Sequence, residues 1–236
     1  MISGLIPLSS GKITVMGLDS INDTEDIKEI MGVCPQTNPI YPTLTVAEHL
    51  QLYAKIKKCK LDDTALNEEI DHILKDIDLL EKKNFPAGNL SGGQKRKLCV
   101  ACAFIAGSKV ILLDEPTSGL DVSARRHLWN MLKQYKKDKI IILTTHFMDE
   151  ADYLGDRIGV MGDGRLLTCG SSMFLKSKFG YGYGLTLVKD NAGVSTQEVT
   201  TLVKHHVPGA TLEGDISKEL KYILPTSEIK NFEALF

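Results

Sequence analysis

The 236-residue sequence has no apolar run that approaches the roughly 18 residues of a membrane-spanning helix. It also has no surplus of basic residues, since 28 lysines and arginines stand against 30 aspartates and glutamates and leave a net charge of -2. Nucleic acid therefore has no electrostatic support as a partner. Any role at a membrane must come through a partner or through polypeptide that this sequence does not contain.

Cysteine is scarce, and its number is odd. The five cysteines are scattered along the chain at Cys34, Cys59, Cys99, Cys102 and Cys169. This distribution argues against a disulfide scaffold and favours a reducing compartment. Cys99 and Cys102 form a CxxC inside an apolar helical run with no second pair nearby, so core packing is a better interpretation than a redox or metal site.

Apolar strands alternate with helices through the second half of the chain. Strands are predicted at 109–113 and 139–144, and helices at about 90–106 and 124–136. This alternation predicts an α/β fold whose parallel sheet is covered by helices on both faces.

Residues 45–84 have the apolar spacing of helices, beginning with Val46 and Leu50. Thr45 is the predicted N-cap of this region, and Glu48 is its capping-box partner.

The last segment has a different order of elements. Strands at 185–188, 210–213 and 220–224 and helices at 196–205 and 227–236 give the order β-α-β-β-α. That order is one strand short of a split βαβ unit and predicts a small α+β, ferredoxin-like domain. The Gly/Tyr segment 180–184 is the predicted linker.

The apolar strand 109–113 ends in the carboxylates Asp114 and Glu115. α/β proteins bind ligands at the carboxyl edge of the sheet, where this pair is expected. Asp114 would hold the magnesium ion of a nucleotide, and Glu115 would orient and polarise the attacking water. The alternative is that both side chains cap the turn before Pro116.

A second motif, Leu90-Ser91-Gly92-Gly93-Gln94, ends twenty residues before Asp114. We call residues 90–94 the signature segment. Ser91 is expected to cap a helix, and the two glycines would let a phosphate approach bare backbone amides at the positive end of the helix dipole. A capped helix without any ligand is the alternative for the pentapeptide taken alone.

The signature segment and the strand-Asp-Glu motif together resemble the ATP-binding-cassette family. The resemblance implies three further roles. Gln36 matches the Q-loop glutamine, which contacts magnesium and the transmembrane partner. Asp121, in Ser118-Gly119-Leu120-Asp121, matches the D-loop at the dimer interface, and His146 matches the switch histidine that reads the γ-phosphate. Taken singly, these would be a surface glutamine, an N-cap and a strand-end histidine.

The resemblance implies a P-loop NTPase-like cassette fold with a helical subdomain, incomplete at its N-terminus. It assigns residues 1–178 to the nucleotide-binding domain, about 42–105 to the helical subdomain, and 179–236 to a partial regulatory domain. Glu115 and His146 are the implied catalytic residues, and Asp114 and Gln36 are the implied ligands of Mg²⁺. The implied ATP-binding set is Gln36, Ser91, Gly92, Gly93, Gln94, Asp114 and Asp121.

Four segments resemble one branch, the lipid-transporting subfamily A, and the first of its two cassettes is the nearer match. These segments are 106–110, 143–152, 169–172 and 202–208. The resemblance implies a transport-coupled ATPase that uses ATP and Mg²⁺ and pairs head-to-tail with a second nucleotide-binding domain. It implies transmembrane domains as further partners, which would hold the chain at the cytoplasmic face of a membrane and handle the lipid cargo.

The phosphate-binding loop G-x-x-x-x-G-K-S/T does not occur in this sequence. Its only Gly-Lys pair, Gly11-Lys12, is followed by Ile13. Either the sequence is a fragment of a longer transporter, or the gene is truncated and its product is not an autonomous ATPase. Two other functions stay open, namely a soluble cassette protein of translation or DNA repair and a non-catalytic module that only donates the signature segment.

We predict that the purified chain binds Mg-ATP poorly and hydrolyses it negligibly, because no loop in it cradles the phosphates. Isothermal titration calorimetry would measure the affinity. Micromolar binding of Mg-ATP would contradict the prediction.

Overall fold

The computed structural model describes residues 1–180, 182–189, 195–216 and 218–235. The chain divides into two compact units, Met1–Leu154 and Gly155–Phe236. The predicted boundary between residues 178 and 179 lies later in the chain than this division, and it stays a prediction. Within the predicted linker 180–184, Tyr181 lies outside the described residues.

The first unit combines helices with short strands. Its strands are β1 (Thr14–Val15), β2 (Leu18–Asp19), β3 (Met31–Cys34), β4 (Val110–Asp114) and β5 (Ile140–Thr144). Its helices are α1 (Thr24–Ile30), α2 (Val46–Ile56), α3 (Asp63–Asp76), α4 (Gly92–Phe104), α5 (Val122–Tyr135) and α6 (Met148–Leu154). Two 3₁₀ turns, Leu80–Lys82 and Ala87–Asn89, connect α3 to α4.

The central sheet of this unit has the order β3-β4-β5. Both pairings are parallel, and Leu113 lies opposite Cys34 on one side and Leu143 on the other. The predicted α/β class and parallel sheet are therefore confirmed. Because parallel strands end at the same edge, the residues that follow Cys34, Leu113 and Leu143 come together there.

Helix α1 lies on one face of the sheet and helix α4 lies on the other, but the face that carries α1 is only partly covered. Met31 and Val110 are buried against residues of β1 and α1. Farther along the same face, Val33, Ile140 and Ile142 are 37%, 52% and 43% exposed. The physical reason is that α1, β1 and β2 are short and cover only the part of the face around Met31 and Val110.

Helix α4 is the most deeply buried helix of the first unit, with nine consecutive buried residues from Arg96 to Phe104. It packs on the covered face of the sheet, which carries the buried Ile111 and Leu113. Gly32 of β3 permits this contact, since an added Cβ would lie 1.7 Å from the carbonyl oxygen of Ala103. Only glycine lets strand and helix approach so closely.

The carboxyl end of α4 is capped by a lysine from the end of α2. Lys57 Nζ donates to the carbonyl oxygens of Ala103 at 3.2 Å and Ile105 at 3.1 Å, and to Ser108 Oγ at 2.6 Å. Helix carbonyls without an intrahelical partner are satisfied in this way, and the cation also favours the negative end of the dipole. Burial lowers the pKa of Lys57 to about 8.

Helix α2 begins as the sequence predicts. Glu48 N donates to Thr45 Oγ1 at 3.2 Å, and Thr45 N donates to Glu48 Oε2 at 2.7 Å. The predicted capping box is thus confirmed. The apolar stripe that predicted the helix is also buried, since Val46 and Leu50 have no exposed surface.

The second unit contains two antiparallel sheets. Its elements are β6 (Ile158–Gly162), β7 (Arg165–Gly170), α7 (Ser172–Phe179), β8 (Tyr183–Val188), α8 (Thr196–His206), β9 (Thr211–Ile216) and β10 (Glu219–Leu224). Strands β6 and β7 pair with each other, and β10 lies between β8 and β9. Val203 of α8 packs with Leu220 and Tyr222 in the core of this unit.

The predicted helix 227–236 is wrong in type. The structure has a 3₁₀ helix over Thr226–Asn231, in which Glu228 is non-helical with φ -104 and ψ 18. Pro225 explains the tight turn, because its carbonyl accepts from Glu228 N three residues later. Phe236 lies outside the described residues.

All five cysteines fall within the described ranges and are free thiols. Cys99 and Cys102 are buried in α4, which agrees with their interpretation as core residues. Burial raises the pKa of Cys99 to about 12 and the pKa of Cys34 to about 11. Such thiols are almost entirely protonated at neutral pH and are poor nucleophiles.

None of the helices formed by the described residues is long and apolar enough to cross a bilayer.

We expect Gly32→Ala to destabilise the first unit by about 3 kcal/mol, because the new methyl group collides with the backbone of α4. Urea unfolding, followed by the fluorescence of the buried Trp129, would measure the loss. Gly184→Ala is the matched control, since no atom lies within 4 Å of a Cβ added to that strand glycine. Equal unfolding midpoints for the two variants would contradict the expected collision.

Candidate functional site

The carboxyl end of β4 carries a strained turn. Asp114 is the last residue of the strand, and Glu115 follows it in the left-handed region at φ 48. This conformation costs a residue with a Cβ roughly 1–2 kcal/mol. Two hydrogen bonds hold it, from Glu115 N to the Thr144 carbonyl at 3.0 Å and from Ser118 N to the Glu115 carbonyl at 3.1 Å. Strain of this kind is concentrated at functional sites.

Strand β5 brings two polar side chains to the carboxylates of this turn. Thr144, which lies opposite Asp114 in the sheet, donates its hydroxyl to Asp114 Oδ1. His146, two residues later, places Nδ1 3.2 Å from Glu115 Oε1. The structure therefore brings together three predicted site residues, Asp114, Glu115 and His146. Thr144 is an addition to the predicted site, and its place opposite Asp114 comes from the register of the two strands.

The ring of His146 has an aromatic support. Phe147 lies beside it with ring centroids 4.1 Å apart. The guanidinium carbon of Arg125 lies 4.0 Å from the centre of the Phe147 ring, an arrangement suited to cation–π attraction. These contacts restrict the orientation of the imidazole relative to Glu115.

Gln36 lies at the same edge of the sheet, two residues after the end of β3. It is exposed, and its carbonyl accepts from Arg96 Nη1 at 3.2 Å. Its predicted contact with magnesium stays a prediction.

The signature segment forms the beginning of α4. Ser91 Oγ accepts from Gln94 N at 3.3 Å, and Gln94 Oε1 accepts from Ser91 N at 3.0 Å. Lys82 Nζ also donates to Gln94 Oε1, at 3.2 Å. The Gln94 side chain therefore serves the helix cap in this structure, and its predicted role in nucleotide binding stays a prediction.

The two glycines differ in their surroundings. A Cβ added to Gly92 would meet no atom within 4 Å, whereas one added to Gly93 would lie 3.2 Å from Leu120 Cδ2. The Gly92 backbone is thus open to a ligand, and Gly93 allows α4 to pack against the segment that precedes Asp121. Asp121 itself caps α5 by accepting from Ala124 N at 2.8 Å.

Arg96 is the residue that the sequence reasoning missed. It lies in α4 two residues after Gln94, and only 2% of its surface is exposed. Its side chain donates to carbonyls of both the β4 turn and the segment after β3. The sequence carries no signal that singles it out, because Arg96 stands between Lys95 and Lys97 in a basic stretch of α4.

The donor set fits Mg²⁺, which prefers oxygen ligands and is usually held by one or two carboxylates together with phosphate oxygens. Asp114 and Gln36 offer a carboxylate and an amide oxygen at one sheet edge. The described residues contain no group of three His, Cys, Asp or Glu side chains able to hold a metal. An ion here would therefore need oxygens from a bound phosphate as well.

The predicted approach of a phosphate to the start of the 13-residue helix α4 stays a prediction.

Comparison with known proteins places the chain in one family. The family model described as ABC transporter matches residues 1–118. The chain is 48% identical over 236 residues to the "Phospholipid-transporting ATPase ABCA3" of Homo sapiens. It is 46% identical over 240 residues to "ABC transporter A family member 6" of Dictyostelium discoideum. Both alignments cover 100% of the chain, which spans only 14% and 15% of these relatives.

Solved structures confirm the cassette fold. An ATP binding subunit of an ABC transporter superposes with a TM-score of 0.68 and 25% identity, covering 85% of this chain and 79% of that one. A dimeric ATP-binding cassette in a post-hydrolysis state, bound to ADP and Pi, superposes with a TM-score of 0.65 and 22% identity. That alignment covers 72% of this chain and 76% of the cassette.

We expect Ser91→Ala to lower the free energy of unfolding by about 1 kcal/mol, because the variant loses the acceptor that caps α4. Trp129 fluorescence during urea unfolding would measure the change, and amide exchange at Gln94 should accelerate with it. Ser123→Ala, at an exposed position within α5, is the matched control and should not destabilise. An unchanged midpoint for Ser91→Ala would contradict the cap.

Proposed function

Because the chain belongs to the ABC transporter family, we propose that it is a nucleotide-binding domain that couples ATP binding and hydrolysis to transport across a membrane. The observation that carries the proposal is the convergence of Glu115 and His146 beside Asp114 at the carboxyl edge of the sheet. A carboxylate for the metal and a base for water are groups that phosphoryl transfer to water uses, and an imidazole can position a phosphate or the base.

Each residue of this group would have one task. Asp114 and Gln36 would hold Mg²⁺, and the hydroxyl of Thr144 would keep the Asp114 carboxylate oriented. Glu115 would accept a hydrogen bond from the attacking water and align it. His146 would orient the Glu115 carboxylate and contact the terminal phosphate. Bound Mg-ATP would supply the phosphoryl group whose hydrolysis drives the transport cycle.

A second nucleotide-binding domain would complete the site. The proposal of a head-to-tail pair is supported by the open backbone of Gly92 at the start of α4. It is also supported by the dimeric state of the cassette that binds ADP and Pi. In such a pair the signature segment of one domain would meet the nucleotide held by its partner.

The cargo is proposed to be lipid. This proposal is supported by the name of the phospholipid-transporting relative from Homo sapiens, which matches the whole chain. Transmembrane domains would carry the cargo and would hold this chain at the cytoplasmic face. The segment around Gln36 would transmit the motion to them.

One further function is favoured by a specific observation. The sequence has no phosphate-binding loop. In this second function the chain does not hydrolyse ATP itself and donates the signature segment to a partner that holds ATP. This second candidate needs Ser91 and Gly92 but makes no use of Glu115.

We expect a chimera to distinguish the two functions. In it, this chain replaces the aligned segment of the Homo sapiens relative, so that the host supplies whatever the segment lacks. ATP-dependent phospholipid movement would be measured in reconstituted vesicles together with ATP hydrolysis. Glu115→Gln should lower hydrolysis by about 100-fold or more, because water loses its base.

Glu213→Gln is the matched control, since Glu213 is an exposed residue of β9 and should not matter. A chimera that reaches the membrane and hydrolyses ATP no faster than its Glu115→Gln form would contradict the catalytic proposal. If Ser91→Arg abolishes transport while Glu115→Gln does not, the donating function is correct instead.

A further inference from the structure

We propose that Arg96 is a positioning residue that fixes the turn carrying Glu115 and the segment carrying Gln36 relative to the helix that begins at the signature segment. The inference rests on the proposed function, because the placement of these groups matters only if they act on nucleotide. Arg96 touches none of the reacting groups through its own side chain. Its effect would come from the backbone that it holds.

On one side, Arg96 binds three successive carbonyls of the strained turn. Nη2 donates to the carbonyls of Asp114 and Glu115, the latter at 2.9 Å, and Nε donates to that of Pro116 at 3.2 Å. Consecutive carbonyls that converge on one guanidinium define the path of the backbone around Glu115. This is the residue with φ 48, so Arg96 opposes relaxation of the strain.

On the other side, Arg96 binds the segment that follows β3. Nη1 donates to the carbonyl of Pro35 at 2.6 Å, to that of Gln36 at 3.2 Å and to Asn38 Oδ1 at 3.2 Å. These oxygens come from residues about sixty positions away in the sequence. One side chain therefore links the end of β3, the end of β4 and the beginning of α4.

The chemistry of the contact explains why arginine is needed. All six acceptors are neutral oxygens, and the side chain is almost fully buried, so the charge depends on these hydrogen bonds. A guanidinium has five N–H donors in a rigid plane and can serve two sides at once. A lysine ammonium has three donors at a single point and cannot reach both groups of carbonyls.

The position of Arg96 also links the residues that would serve the two nucleotide sites of a head-to-tail pair. In a head-to-tail pair, Glu115 and Gln36 would serve the nucleotide of their own domain, whereas the signature segment would serve that of the partner. Arg96 lies five residues after Ser91 and holds both sets in one rigid arrangement. A shift of α4 in response to one nucleotide would thus move the residues that act on the other.

Two measurements test the proposal. The first uses the purified chain and follows amide hydrogen exchange in Arg96→Met and Arg96→Lys. The amides of Glu115, Ser118 and Ile40 should exchange about tenfold faster or more. Without the Arg96 hydrogen bonds, local opening of these two segments costs less free energy and occurs more often. The amides of α3 should change much less. Arg126→Met, which removes an exposed arginine of α5, is the matched control and should change neither set.

The second measurement uses the chimera and separates kcat from KM for ATP. Arg96→Lys should retain the fold and lower kcat by about tenfold, with little change in KM, because the groups acting in the transition state are misplaced. Equal acceleration of exchange throughout the first unit, or a folded Arg96→Lys variant with unchanged kcat, would overturn the proposal. If the unsubstituted chimera fails to hydrolyse ATP, the proposed function fails, and the exchange measurement still decides whether Arg96 fixes both segments.

Discussion

The parallel pairing of β4 with β3 on one side and β5 on the other is the constraint on which the candidate site depends. It places the carboxyl ends of three strands at one edge, although they are far apart in sequence. Asp114 comes from the middle strand, Thr144 and His146 from one neighbour, and Gln36 from the other. A shift of the β4–β5 register by one residue would turn Thr144 away from Asp114, to the face on which α4 packs.

Helix α4 has three roles along its length. Its first turn is an open backbone with a reciprocal side-chain cap, its middle carries a buried guanidinium, and its last turn is held by Lys57 from α2. Each end thereby satisfies the backbone groups that a helix leaves without partners. The helix is buried almost all round and contacts Gly32 closely, so it is packed tightly against the sheet.

The sequence indicated the elements well where a local cause determines them. The capping box at Thr45, the N-cap at Ser91 and the apolar strand before Asp114 each depend on a few neighbouring residues, and each is present. The sequence did not reveal what depends on contacts between distant segments. Arg96 reads as an ordinary charged helix residue until its partners near Gln36 and Pro116 are known. The partial exposure of one sheet face was missed for the same reason, since the coverage of a face depends on tertiary packing.

The uncovered part of the sheet has a consequence for handling the protein. Ile140 and Ile142 lie on β5, and among the described strands none pairs with its outer side. A β-branched strand at the edge of the described sheet, next to an apolar patch, is a template for adding strands from other molecules. Self-association of the isolated chain should therefore increase steeply with its concentration. The substitution Ile142→Lys would place a charge on this strand and oppose aggregation, while it leaves the residues of the candidate site unchanged.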